Sequence, residues 1–138
     1  MSEKPDIFFF DYNYMTYVFR IDSETPSKKN SRVVLPNGKN IPSKNFRLWH
    51  ECAFVQVKTQ MVKQSFPAPI ETPVKIKLQF THGDLRRRDS DNGTSSIMDL
   101  LTDCGVLKDD CWQIVRQIEV LNGYEKNKAE CAILIETL

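Results

Sequence analysis

Histidine is scarce in this chain, with two residues, and its four cysteines include no Cys-x-x-Cys pair. A structural zinc site therefore has no ligand set, and Cys52, Cys104, Cys111 and Cys131 are expected to be reduced, mostly buried thiols. Long apolar runs are missing too. The longest, such as Ile7 to Phe10 and Ala132 to Ile135, fall far short of the roughly 20 residues that cross a bilayer, so no membrane span is expected. The start of the sequence carries Glu3, Lys4, Pro5 and Asp6 in place of an apolar leader, which points to a cytoplasmic location. Five glycines and seven prolines are too few for a collagenous or low-complexity chain, and no glycine-rich phosphate loop follows any strand. A doubly wound nucleotide-binding sheet is thereby disfavoured. Neither sign of charge dominates: 19 Lys and Arg face 18 Asp and Glu, so bulk charge announces no polyanionic partner.

What remains is 138 residues, 41% hydrophobic and 27% charged, enough to bury one core and too few for two ordinary domains. A single domain, 1–138, is expected. From Tyr14 to Ile21 apolar side chains fall mostly at alternate positions, which predicts a strand. Asp22 to Asn45 is a polar, basic loop in which Pro36-Asn37-Gly38 joins two short extended pieces. Ser43 caps a helix running to about Gln64, with Phe46, Trp49, His50, Ala53, Phe54, Val57 and Met61 in one stripe; Pro67 and Pro69 end it. Thr72 to Thr81 alternates as a half-buried strand whose other face is wet or basic. A short helix over Gly93 to Asp103 follows, stopped at Gly105. Gln113 to Leu121 and Ala129 to Glu136 read as a hairpin with a longer loop. The order predicts an α+β, two-layer domain: a mixed or antiparallel sheet with helices packed on one face.

Charge is segregated along the chain. Lys28, Lys29, Arg32, Lys39, Lys44 and Arg47 stand between Pro26 and His50 without an acidic residue, a pattern suited to phosphate contact or to a plain solubilising surface. Further on, Arg86-Arg87-Arg88-Asp89-Ser90-Asp91-Asn92 puts opposite signs side by side, and Lys108-Asp109-Asp110 follows one short helix later. If Arg88 to Asp91 is extended, Asp89 and Asp91 project to one side about 6.5 Å apart. The intervening helix can return the chain so that Asp109 or Asp110 joins them. Two carboxylates 4 Å apart repel by about 4 kcal/mol at an effective dielectric near 20, so such a cluster requires protons or cations. Oxygen ligands of this kind favour magnesium or manganese. The bland alternative is that Ser90, Asp91 or Asn92 caps the helix and Asp89 pairs with a neighbouring arginine. An EF-hand is excluded, since its glycine and closing glutamate fall at Thr94 and Leu100. A transferase-type Asp-x-Asp site is possible, but lacks a neighbouring Gly-Ser turn.

The string Arg86-Arg87-Arg88-Asp89-Ser90-Asp91-Asn92, then a helix ending in Gly105-Val106-Leu107-Lys108-Asp109-Asp110, resembles the RusA family of Holliday-junction resolvases. Pro26-Ser27-Lys28-Lys29-Asn30-Ser31 is similar to that family's early loop, and Val74 to Phe80 to the strand leading into its arginines. The resemblance implies a homodimeric, magnesium-dependent endonuclease that makes paired nicks in four-way DNA junctions. It implies that Asp89, Asp91 and Asp110 are the catalytic, metal-binding carboxylates, with Asp109 as the acidic neighbour. DNA contacts are expected from Lys28, Lys29, Asn30, Arg32, Lys44, Arg86, Arg87 and Arg88. One departure stands out: Ser95 occupies the position where the family commonly has a lysine, for which Lys108 or one of the three arginines could substitute. The rivals are a catalytically weak or inactive junction-binding or DNA-binding module, and an interaction protein whose acidic cluster is only a capped loop. His50 is expected to belong to the long helix and His82 to a strand end, and Trp112 to the core or a dimer interface, with stacking on bases as an alternative.

Overall fold

The computed structural model describes residues 15–138; Ile7 to Phe10 and Tyr14, at the head of the expected first strand, lie outside them. Among the described residues the elements run β1 (Thr16–Ile21), β2 (Arg32–Val34), β3 (Asn40–Pro42), α1 (Lys44–Lys63), β4 (Val74–His82), α2 (Thr94–Asp103), β5 (Val115–Tyr124) and β6 (Glu130–Thr137). A mixed four-stranded sheet has the order β1-β6-β4-β5, and β2 and β3 form a separate antiparallel pair around the Pro36-Asn37-Gly38 turn. The domain is α+β, as the alternation of periods predicted. No helix among the described residues is long and apolar enough to cross a membrane.

One face of the sheet supplies the core. Val74, Ile76 and Leu78 of β4, Phe19 and Ile21 of β1, and Ile133 and Ile135 of β6 are fully buried, each at the alternate positions that a pleated strand points one way. Against them lie Phe46, Trp49, Ala53 and Val57 of α1, and Ile97, Leu100 and Leu101 of α2. The Ser43 side chain accepts from the Phe46 amide at 3.1 Å and caps α1, as its sequence position predicted. Gly105 ends α2 at φ 78°, a left-handed conformation that an L side chain resists.

The expected hairpin of the last two strands does not form. β5 pairs in parallel with β4, and β6 pairs antiparallel with the other side of β4, so β4 separates them. The reason is burial. β4 and β6 carry apolar side chains at every core-facing position, whereas Val115 is the only buried residue of β5, whose sequence ends in Leu121-Asn122-Gly123-Tyr124. A strand so poor in core residues takes the edge, and the long connection crosses the end of β4, where the Glu125 and Asn127 amides donate to the His82 and Gly83 carbonyls at 3.0 and 2.9 Å. Of the two places expected for Trp112, the core is excluded: it is 69% exposed, with Arg116 5.6 Å above its ring. Cys104 and Cys131 are buried, whereas Cys52 is exposed on α1.

Candidate functional site

The Pro26–Ser31 segment is pinned at three points. The Ser96 hydroxyl donates to the Pro26 carbonyl at 2.6 Å, the Ser43 amide donates to the Ser31 carbonyl at 2.8 Å, and Lys28 forms an ion pair with Asp99 of α2. A basic loop is thus seated across the N-terminal half of α2. Asp99 belongs to no motif in the sequence, although it lies one helical turn after Ser95 and therefore on the same face.

Two hollows flank this loop. The first, about 470 Å³, is bordered by Lys28, Lys29, Thr94, Ser95, Asp99 and Asp110. The second, about 330 Å³, is bordered by Ser27, Asn30, Arg86, Arg87, Arg88 and Asp89. Residues far apart in sequence therefore meet at one loop: the segment before β5 reaches it from one side and the Arg86–Asn92 segment from the other. Asp91 is exposed, and its carbonyl accepts from the Thr94 amide at 3.1 Å, which ties it to the first hollow through the backbone.

The segment carrying Asp89 and Asp91 is not extended through Asp91. A turn begins at Ser90, with the Asn92 amide donating to the Asp89 carbonyl at 3.0 Å, so the projected 6.5 Å spacing does not apply. Nor does any of the three candidates cap α2. Gly93 takes the N-cap position without a side-chain bond, because a Cβ there would stand 2.9 Å from the Phe80 ring and 3.0 Å from the Thr25 methyl. The bland reading of Ser90, Asp91 and Asn92 as caps thereby falls away. Asp89 does approach Arg87 at 3.5 Å, but both side chains are mostly exposed, and a pair of that kind contributes little.

Among the described residues no three His, Cys, Asp or Glu side chains are gathered closely enough to hold a metal ion. The donors are of the hard-oxygen type that magnesium takes, yet Asp89 and Asp110 border different hollows, and the Asp109 carboxylate turns back to accept from the Asp110 amide at 2.8 Å. The expected convergence of carboxylates is not present in this arrangement of the chain.

No family model matches the chain, and no curated protein matches it.

The residues expected to contact DNA divide into exposed and engaged. Lys29, Asn30, Lys44, Arg86 and Arg87 are exposed. Arg32 is exposed on β2 but holds Asn40 across the β2–β3 pair, with bonds of 3.0 and 2.7 Å. Arg88 is different. Its side chain is only 13% exposed and binds Asp84 at 2.9 Å and Glu24 at 3.5 Å, so its guanidinium holds the loop together. That hydrogen bond from Arg88, with a second from the Arg86 amide, holds the Asp84 carboxyl at about 2, well below the usual carboxylate range. The Arg88 guanidinium is shifted upward by the same bond. Lys108, a candidate substitute for the lysine absent at Ser95, is paired with Glu71 at 2.8 Å, which raises its pKa and directs it away. Lys28 and Lys29 are the cations that border the hollow with Ser95.

Proposed function

We propose that this chain is a RusA-like, structure-selective endodeoxyribonuclease of the cytoplasm that acts on four-way or other branched DNA as a homodimer. The observation that carries the reading is the meeting of three separated sequence motifs at one loop: Pro26–Ser31, the Arg86–Asn92 segment and Asp110 border two adjoining hollows. Lys29, Arg86 and Arg87 are exposed there to meet a polyanion, and the carboxylates Asp110 and Asp89 border the first and second hollow, a combination suited to phosphodiester chemistry. Magnesium, with manganese able to replace it, is the cofactor of this reading; Asp89, Asp91 and Asp110, with Asp109 beside them, supply the right oxygen donors but would have to draw together to hold it.

A second reading, a DNA-binding module with weak or no cleavage, is favoured by two observations: Ser95 in place of a lysine, and carboxylates that are not gathered. Incubation of labelled four-way, fork and linear DNA with the protein, with and without magnesium, separates the two. The nuclease reading expects paired nicks in the branched substrates that need the metal. It also expects Asp91→Asn and Asp110→Asn to abolish nicking while junction binding persists. Retarded bands without any nicks, in magnesium or manganese, would establish the binding module instead.

A further inference from the structure

The geometry points to His82 and Asn122 as positioning residues that fix the Asp89-Ser90-Asp91 turn to the ends of strands β4 and β5. His82 closes β4, half-buried and stacked beside Phe80 with an interplanar angle of 13°. Its two ring nitrogens each face an acceptor: Nδ1 lies 2.8 Å from a Glu24 carboxylate oxygen, and Nε2 lies 2.8 Å from Asn122 Oδ1. The orientation of the Asn122 amide is not arbitrary, because its Nδ2 donates to the Ser90 carbonyl at 2.9 Å. A flipped amide would set oxygen against oxygen there and lose that bond. With Oδ1 so directed, the ring bridges Glu24 through Nδ1 and the β5 amide through Nε2.

The chain of contacts continues on the other side. The second Glu24 oxygen lies 3.5 Å from Arg88, and Arg88 binds Asp84 at 2.9 Å. Polar contacts therefore run in one chain, Asp84, Arg88, Glu24, His82, before the amide of Asn122 reaches Ser90. Ser90 is the residue between the two aspartates, so one amide on β5 sets the height of both carboxylates above the sheet end. Nothing else in the described residues bonds the Ser90 carbonyl to the sheet. The local sequence of the turn does not encode this support, since Asn122, which bonds it, lies 32 positions away.

That these carboxylates act on DNA rests on the function proposed above; the positioning itself does not, and two measurements keep them apart. Asn122→Asp preserves an acceptor for His82 and removes the donor to Ser90. For this variant we expect the Asn92 and Thr94 amides, both bonded within the turn, to exchange hydrogen roughly tenfold faster while α1 stays protected. With a labelled four-way junction and magnesium, kcat should fall by roughly tenfold and KM should change little. His82→Gln, which has no ring to bridge Glu24 and Asn122, should reproduce the pattern and serves if the first variant does not fold. Unchanged exchange at Asn92 and Thr94 overturns the positioning role, whether or not DNA is cut. Faster exchange in the variant, together with a wild-type chain that nicks nothing, upholds the clamp and removes the nuclease reading.

Discussion

Asp84 shows how a half-exposed carboxylate can still be strongly perturbed when its partners are fixed. Its depressed pKa means that the ion pair with Arg88 is complete above the ordinary carboxylate value of 3.8 and is lost as pH falls through about 2. Acidification over that window should therefore release the Arg86 amide, which Asp84 accepts at 2.9 Å. An NMR titration of the Asp84 carboxyl should show a midpoint near 2, and in Arg88→Ala it should return toward 3.8. The cysteines give a second residue-scale expectation. Burial pushes the Cys104 thiol up to about 11 and the Cys131 thiol up to about 12, whereas Cys52 is exposed. A thiol reagent should thus label Cys52 first in the native protein, and reach Cys104 and Cys131 only in denaturant. Early labelling of either buried thiol would contradict this packing.

The elements differ in how much of their stability is local. Helix α1 starts where Ser43 supplies an acceptor, so Ser43→Ala should cost about 1 kcal/mol in chemical denaturation. Helix α2 starts with no such bond, and its position depends on how closely Gly93 approaches Phe80 and Thr25. Gly93→Ala should destabilise by roughly 1–3 kcal/mol although alanine is the better helix former, because the added methyl must displace an aromatic ring in the core. A stabilised Gly93→Ala variant would show that the approach is looser than described. Strand β4 is bonded on both sides, and Leu78, at its middle, is fully buried; Leu78→Ala should cost about 2–5 kcal/mol. Equivalent truncation of Leu121, half exposed on the edge strand β5, should cost far less.

For the molecule as a whole, cations and carboxylates are concentrated around one basic loop although the net charge is only +1. Binding to junction DNA should weaken linearly in log affinity against log salt, and Arg87→Ala should lower the slope by about 1 while Lys63→Ala, at the far end of α1, should not. Equal slopes for the two variants would remove the loop from the DNA contact surface. The periodicity of the chain by itself determined the two helices, the capping by Ser43, the inward face of β4 and the stop at Gly105, because each depends on neighbours within a turn or a pleat. It also placed the charged segments that form the candidate site. Which strands are neighbours was decided only in the tertiary structure, where β5, with a single buried side chain, yields the centre of the sheet to β4. The same holds for which charges are free. Arg88 and Lys108 look like Arg87 and Lys29 in sequence, but Asp84, Glu24 and Glu71 engage them from elsewhere in the fold. Local pattern specifies the direction of a side chain, whereas its partner is set by chain closure over tens of residues, which no short spacing records.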